Sequence, residues 1–381
     1  MTDFVLTGPR GDNPLGFLAA LGALVALEDA KVLAGLRWDA VTPVLRVESG
    51  PTSPDELVSL LHHQLRREPS ATAGVIAQAR KEMEEAKRAF KKRAQEIKNR
   101  RLAKKDAQLA RKAELEPLEA ALTEKEQIYR QALLTGAVDP AVTLGKNLTV
   151  SNQDFLGHVK VACECTPPNR RWLDLVAAFG MPDPLRPEKR MQATPWALVS
   201  GSGRQDFLRS VADLMVQCRP EHIRQALFGP WLPNDELRSL RLDADDDRRY
   251  ALRDADPSND EPKTLWGANR LAFEALRLFP AMPGRGGMQV RGWRSNNGDW
   301  QHGCAVRWPL WSPPLSSYVV GALLSLPDLW FQSRGAGQRL SALGIHRVME
   351  SKRIRVGDGA NVKYNLTPPS PVWVSVRTVL E

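Results

Sequence analysis

Apolar and polar positions follow three different rhythms along this chain. From Leu15 to about Asp29 nearly every position is apolar, which predicts a helix buried on all sides rather than on one stripe. Asp12 or Asn13 can cap its start, and Pro14 suits the first helical turn. Gly16 and Gly22 lie within it, and close backbone packing is the expected reason for two residues that each cost a helix about 1 kcal/mol relative to Ala. Phe4–Leu6 and Val44–Glu48 alternate as short strands do, and Thr52-Ser53-Pro54 opens a second helix reaching about Arg67. Residues 1–70 therefore read as a small α/β unit.

From Ile76 the rhythm changes. Ile76, Ala79, Met83, Ala86, Phe90, Ala94 and Ile97 fall three and four apart, the spacing of a coiled-coil seam. The seam breaks at Lys98-Asn99-Arg100-Arg101. A second is readable at Leu115, Leu118, Leu122, Tyr129 and Ala132, with one position taken by Lys125. The simplest arrangement is an antiparallel helical hairpin over 71–135 with its tip near 98–108. Its first arm would be on the order of 35 Å long. Pro117 predicts a kink or a helix start in the second arm.

The third rhythm is mixed. Residues 136–280 read as a mostly helical core, with Arg171–Phe179, Gln205–Gln217 and an amphipathic Asn269–Leu278 as the better helices. Residues 281–381 are rich in Gly, Pro and Trp and read as strands and loops. Val348–Val356 and Val362–Leu366 flank Gly357-Asp358-Gly359, a hairpin signal. The expected fold class is α+β, mainly helical, with small mixed sheets and an inserted antiparallel coiled-coil hairpin.

Charge sharpens this picture. Residues 80–112 hold fourteen Lys/Arg against five acids, an excess that equals the net charge of +9 for all 381 residues. The cationic bias thus belongs to one helical arm, and it points to a polyanion, foremost nucleic acid. Lys87, Arg88, Lys91, Lys92, Arg100, Arg101, Lys104 and Lys105 are the candidate phosphate contacts. Some of the arm's cations can pair with Glu114, Glu116, Glu119, Glu124 and Glu126 on the second arm, which would leave the tip bare. Self-pairing within the hairpin, or docking of another protein, is the competing role. No apolar run is long enough to span a membrane, and no basic segment followed by an apolar core suggests a secretory signal. Four cysteines give no disulfide framework, so a cytoplasmic setting is expected.

The search for chemistry is mostly negative. No Walker-type phosphate loop, His-Glu-x-x-His or Gly-x-Ser-x-Gly occurs. Gly201-Ser202-Gly203-Arg204 and Gly284-Arg285-Gly286-Gly287 lack the spacing of a phosphate cradle and read as turns. Asp243, Asp245, Asp246 and Asp247 could hold Mg²⁺, which leaves a metal-dependent nuclease as one alternative, but the adjacent Arg248 and Arg249 favour a self-paired acidic loop. His158, Cys163, Cys165, Cys218 and His222 are poorly spaced for zinc. No metal, cofactor or catalytic residue is therefore assigned, and a non-enzyme is expected. The second binding candidate is the stretch Arg285 to Arg307. It interleaves Arg285, Arg291, Arg294 and Arg307 with Trp293, Trp300 and Trp308, and carries Asn296-Asn297-Gly298. Arginine suits phosphates, tryptophan suits base stacking and asparagine suits base edges. The competing reading is a β-hairpin whose tryptophans are core.

Several stretches carry a resemblance. Gly11-Asp12-Asn13-Pro14-Leu15-Gly16-Phe17-Leu18-Ala19-Ala20-Leu21-Gly22 resembles the N-terminus of large-subunit-type proteins of type I CRISPR–Cas systems, particularly type I-G (formerly I-U). Gly201-Ser202-Gly203-Arg204-Gln205-Asp206-Phe207-Leu208, Arg248-Arg249-Tyr250-Ala251-Leu252 with Gly267-Ala268-Asn269-Arg270-Leu271-Ala272, and Trp308-Pro309-Leu310-Trp311 are similar in style. The resemblance implies a Cascade large subunit or an accessory protein of the same loci. Such a subunit binds DNA, sits with crRNA-containing Cascade subunits, helps recognise the motif flanking the target, and helps recruit a helicase–nuclease. It transfers no catalytic residue. The expected function is a non-catalytic DNA-binding subunit in antiviral defence. A structural adaptor that docks another effector subunit through its coiled coil is the other alternative.

Overall fold

The computed structural model describes residues 1–67, 73–100, 103–136, 139–164, 170–183, 188, 190–198, 206–244, 263–284, 287–295, 300, 303–356 and 363–375. The chain forms two compact units, one of Met1–Arg66 with Leu144–Glu381, the other of Arg67–Thr143. The fold class is mixed α+β, mainly helical, with small sheets and an inserted hairpin. No helix among the described residues is long and apolar enough to cross a membrane.

The larger unit opens with strand β1 (Thr2–Val5), helix α1 (Pro14–Asp29), strands β2 (Ala34–Asp39) and β3 (Thr42–Val47), and helix α2 (Pro54–Leu65). The strands form an antiparallel sheet in the order β1-β3-β2. Asn13 is the cap of α1: its Oδ1 accepts from the backbone N–H of Leu15 at 2.9 Å and Gly16 at 3.3 Å. Every residue from Pro14 to Leu27 is buried, as an all-apolar helix requires. Ser53 caps α2 through the Glu56 N–H.

The smaller unit is the hairpin, with α3 (Ala73–Asn99), α4 (Lys104–Ala110), a π-helical turn (Arg111–Leu115) and α5 (Glu116–Gly136). Pro117 sits second in α5, just past the π turn. A proline cannot donate to the carbonyl four residues back, so the register changes where its N–H is missing. The turn's last bond runs from the Glu116 N–H to the Arg111 carbonyl.

The chain then continues through α6 (Asn152–Glu164), α7 (Arg170–Phe179), the short strand pair β4 (Gly180–Met181) and β5 (Gln192–Ala193), and helices α8 (Phe207–Gln217) and α9 (Pro220–Phe228). Strands β6 (Asp235–Glu236) and β7 (Lys263–Thr264) precede α10 (Trp266–Ala275). A hairpin of β8 (Ala281–Gly284) and β9 (Gly287–Val290) follows. The last part holds β10 (Trp293–Arg294), β11 (Ala305–Trp311), α11 (Ser317–Leu323), α12 (Ala336–Ala342), β12 (Ile345–Val356), β13 (Lys363–Leu366) and β14 (Ser370–Val374). Their sheet runs β10-β11-β12-β13, with β14 also paired to β12. The region expected to be strands and loops thus carries two helices as well, both of only seven residues. Such short helices give little periodicity to read.

Within the larger unit, the described residues of 1–66, 144–280 and 281–381 share one core. α10 packs along α1 so closely that a Cβ on Gly22 would lie 1.8 Å from the Leu271 carbonyl oxygen, and one on Gly267 would lie 2.0 Å from that of His222 in α9. From the other side β11 supplies Trp308 and Trp311. Their indole N–H groups donate to the Gly11 and Leu36 carbonyls at 2.7 and 2.6 Å, Phe17 lies against both rings, and Trp38 lies against Trp311. The Trp-Pro-Leu-Trp stretch is therefore core.

α10 is not the amphipathic helix its sequence suggested. Gly267–Ala275 are all buried, including Arg270 and Glu274. Arg270 donates through Nη2 and Nε to the Leu65 carbonyl at the end of α2 (2.8 and 3.2 Å) and through Nη1 to Glu274 at 2.8 Å. Arg171 of α7 grips the same carboxylate at 2.8 and 2.6 Å. Arg277 bridges Asp29 to it, and these pairs neutralise charges that burial would otherwise expel. Burial alone would push the Glu274 carboxyl up. Arg171, Arg270 and Arg277 outweigh it and hold the group well below the usual carboxylate range.

Two outcomes are expected. Gly22→Ala forces α1 and α10 apart and lowers the unfolding free energy by about 3 kcal/mol, read by urea denaturation. Glu274→Gln removes the buried carboxylate that three guanidinium groups share and costs about 3–5 kcal/mol at neutral pH. The folded carboxyl titrates below its unfolded value of roughly 4.3, so its contribution is complete above that pH and disappears as pH falls. The variant's penalty should shrink accordingly in acid.

Candidate nucleic-acid interface

The hairpin is built by its seam. Ala79 is buried, and Met83, Ala86, Phe90, Ala94 and Ile97 are half-buried toward α5. Lys125, at the vacant place in the second seam, reaches across to Glu82 at 2.9 Å. Arg93 meets Glu114 at 2.8 Å and Arg100 meets it at 3.0 Å. These partners run in opposite directions, as in an antiparallel pair. At the base, Arg67 meets Asp139 at 3.1 Å, and the other oxygen of Asp139 accepts from the Ala141 N–H.

The opposite leg neutralises less of the basic arm than the charge count suggested. Among the described residues only Glu114 of the five candidate acids pairs across. Glu116, Glu119 and Glu124 are exposed, because their register turns them off the seam. Arg80 pairs within its own helix to Glu84 at 3.7 Å, and Arg93 also to Glu96 at 2.6 Å. Lys81, Lys87, Arg88, Lys91, Lys92 and Lys98 are exposed and have no ion-pair partner among the described residues. Lys81, Arg88 and Lys92 stand seven and four residues apart, and Lys87, Lys91 and Lys98 four and seven apart. They form two adjacent rows along about 25 Å of α3.

At the tip, Arg100 is exposed but engaged by Glu114. Arg101 and the side chains of Lys104 and Lys105 lie outside the described residues. The described cationic surface is therefore the outer face of α3.

The Arg/Asn/Trp stretch divides differently. Arg285, Asn296 and Asn297 lie outside the described residues. Trp293 and Trp308 are core, with Trp293 edge-on to Trp196 at 4.9 Å. Arg307 is committed to the fold: it pairs with Glu350 at 2.7 Å, donates to the Leu329 carbonyl, and lies over Trp330. Arg291 is half-buried and donates through Nη1 to the Leu278 carbonyl at 3.1 Å; burial lowers its pKa. Arg294 is exposed and rests on Trp330 with its guanidinium 4.5 Å from the ring centre. Burial and the neighbouring charge of Arg307 lower its pKa too. Trp330, Met282, Met288 and Ser325 beside these arginines were not singled out in the sequence, since nothing local to a methionine, serine or lone tryptophan tells that it lies next to an arginine. Gly284 and Gly287 pair at the ends of β8 and β9, and Arg285 and Gly286 between them lie outside the described residues.

The remaining candidates do not converge. Asp243 accepts from the Asn13 side chain at 2.8 Å, and Asp245, Asp246 and Asp247 lie outside the described residues. His158 faces Trp172, whose indole N–H points at its Nε2 at 3.2 Å. Burial pushes the Cys218 thiol up to about 12, far from the thiolate a metal requires. No group of three or more potential metal ligands occurs among the described residues. Compared with protein-family models and with curated proteins, the chain matches none.

Replacing Lys87, Arg88, Lys91 and Lys92 together by Ala should leave helical circular dichroism and the melting temperature unchanged or slightly raised, since these side chains hold nothing and Ala is the best helix former. A drop in melting temperature would show that they support the fold.

Proposed function

We propose that this chain is a non-catalytic DNA-binding subunit of a crRNA-guided type I CRISPR surveillance complex, acting in the cytoplasm in antiviral defence. The observation that carries the DNA-binding part is the outer face of α3, where six exposed cations in two rows lack ion-pair partners among the described residues. Such an array neutralises a phosphate backbone without reading sequence. The CRISPR setting rests on the sequence resemblance. In that setting sequence is read by RNA–DNA pairing, and the protein supplies backbone contacts and recognition of the flanking motif. Arg294, exposed near β10, is the described residue best placed for the second task. Crowding by Arg307 makes an incoming phosphate or base edge favourable there. Other Cascade subunits and a recruited helicase–nuclease are the partners this reading implies.

Two measurements test it. Titration of duplex DNA at several salt concentrations should show that the Lys87/Arg88/Lys91/Lys92→Ala variant binds more weakly, with its log–log salt slope reduced by about three to four. Unchanged binding by a folded variant would remove the arm from the interface. Purification of the tagged chain from its host should bring down a short guide RNA with the partner subunits. Their absence from a complex that still binds DNA would refute the CRISPR setting.

A further inference from the structure

A cavity of about 310 Å³ opens beside β9 and β10. Its polar wall brings two arginines, Arg291 and Arg294, beside Gln289, Ser295 and Ser325. Arg291 uses Nη1 on the Leu278 carbonyl, and its buried Nε has no acceptor among the described residues. Trp293, only 6% exposed, also lines the cavity, and its buried indole N–H likewise has no acceptor among the described residues. Arg294 adds a second guanidinium, and no Asp or Glu among the described residues lines the cavity. Neither arginine has a carboxylate partner among the described residues. Met282, Met288, Val290 and Trp300 form its apolar part.

Buried donors without acceptors leave part of their hydration unreplaced, and a half-buried cation without a counter-ion does so more strongly. An anion with several acceptor oxygens beside Arg291 and Arg294 supplies that counter-ion. The volume falls at the low end of small-molecule sites, enough for one compact ligand. The apolar wall suits a flat ring, which stacks on aromatic and thioether groups.

We propose that this cavity is a nucleotide pocket, in which Arg291 and Arg294 hold a phosphate while the base lies against Met282, Met288 and Trp300. It deepens the nucleic-acid reading and rests on it. A free 5′-mononucleotide and an unpaired nucleotide within a strand offer the same chemistry.

The test is calorimetric titration of the full chain with inorganic phosphate, a nucleoside, its 5′-monophosphate and a short single-stranded oligonucleotide. The monophosphate should bind at least ten-fold more tightly than either the phosphate or the nucleoside. Arg294→Ala, at an exposed position, and Met282→Glu, at the part-exposed wall, should each weaken it at least ten-fold with unchanged melting temperature. An oligonucleotide that outcompetes the monophosphate identifies the ligand as a nucleotide within a strand; equal affinity identifies the free nucleotide. Lack of monophosphate binding, or equal binding by both variants, would overturn the pocket. The α3 quadruple variant should lose duplex binding and keep monophosphate binding, so failure of the pocket and failure of the arm are separable.

Discussion

Everything in the larger unit depends on one helix that has no polar side. α1 cannot lie on a surface, because each of its faces is apolar and would drive association if left in water. It must be wrapped. One side is closed by α10, which reaches it only because residue 22 has no side chain. Another is closed by Phe17 meeting Trp38, Trp308 and Trp311. The first thirty residues are thus completed by residues more than two hundred positions away, and the chain cannot finish its core until β11 is in place. The buried Arg270–Glu274 pair belongs to the same problem. A helix wrapped on both sides carries its charges inward, and those charges must find one another.

Much of this was legible in the chain, and what was not has physical reasons. The all-apolar run, the Asn13 cap, the glycine spacing and the heptad seam each follow from local rules, and each produced the expected element. The burial of α10 did not, because its alternating charges look like a solvent-facing stripe until Arg171 and Leu65 are seen to receive them. β2 escaped notice although Leu36 and Trp38 alternate as core positions do, since Gly35 interrupts the pattern. In the candidate interface the cations of α3 were readable from composition. Their pairing was not, because register across two helices decides which acid meets which base. The arginines near β10 were readable one by one, but their surroundings were not. Arg307 is satisfied by Glu350, more than forty residues on, whereas Arg291 is left with a carbonyl alone.

The two candidate surfaces differ in kind. On α3 six cations are exposed and lack ion-pair partners among the described residues, so they act through number and spacing. Around β10 the donors are partly withdrawn from water and fixed by packing on Trp196 and Trp330, so they act through position. Under the proposed nucleic-acid function, a long-range field and a fixed local contact are complementary devices: one sets how often contact begins, the other what is held.

The ion pair of Arg67 with Asp139 has a consequence for how such a chain can change over time. The polypeptide enters and leaves the hairpin at neighbouring points, so the seventy-odd residues between them form a closed excursion. Turns can be added to or removed from both legs in matched numbers while the two ends stay together, and the entropy of closing the loop changes only with the logarithm of its length. Reach, charge and tip composition can therefore drift as a group under selection, independently of the wrapped helix that fixes the remainder of the chain.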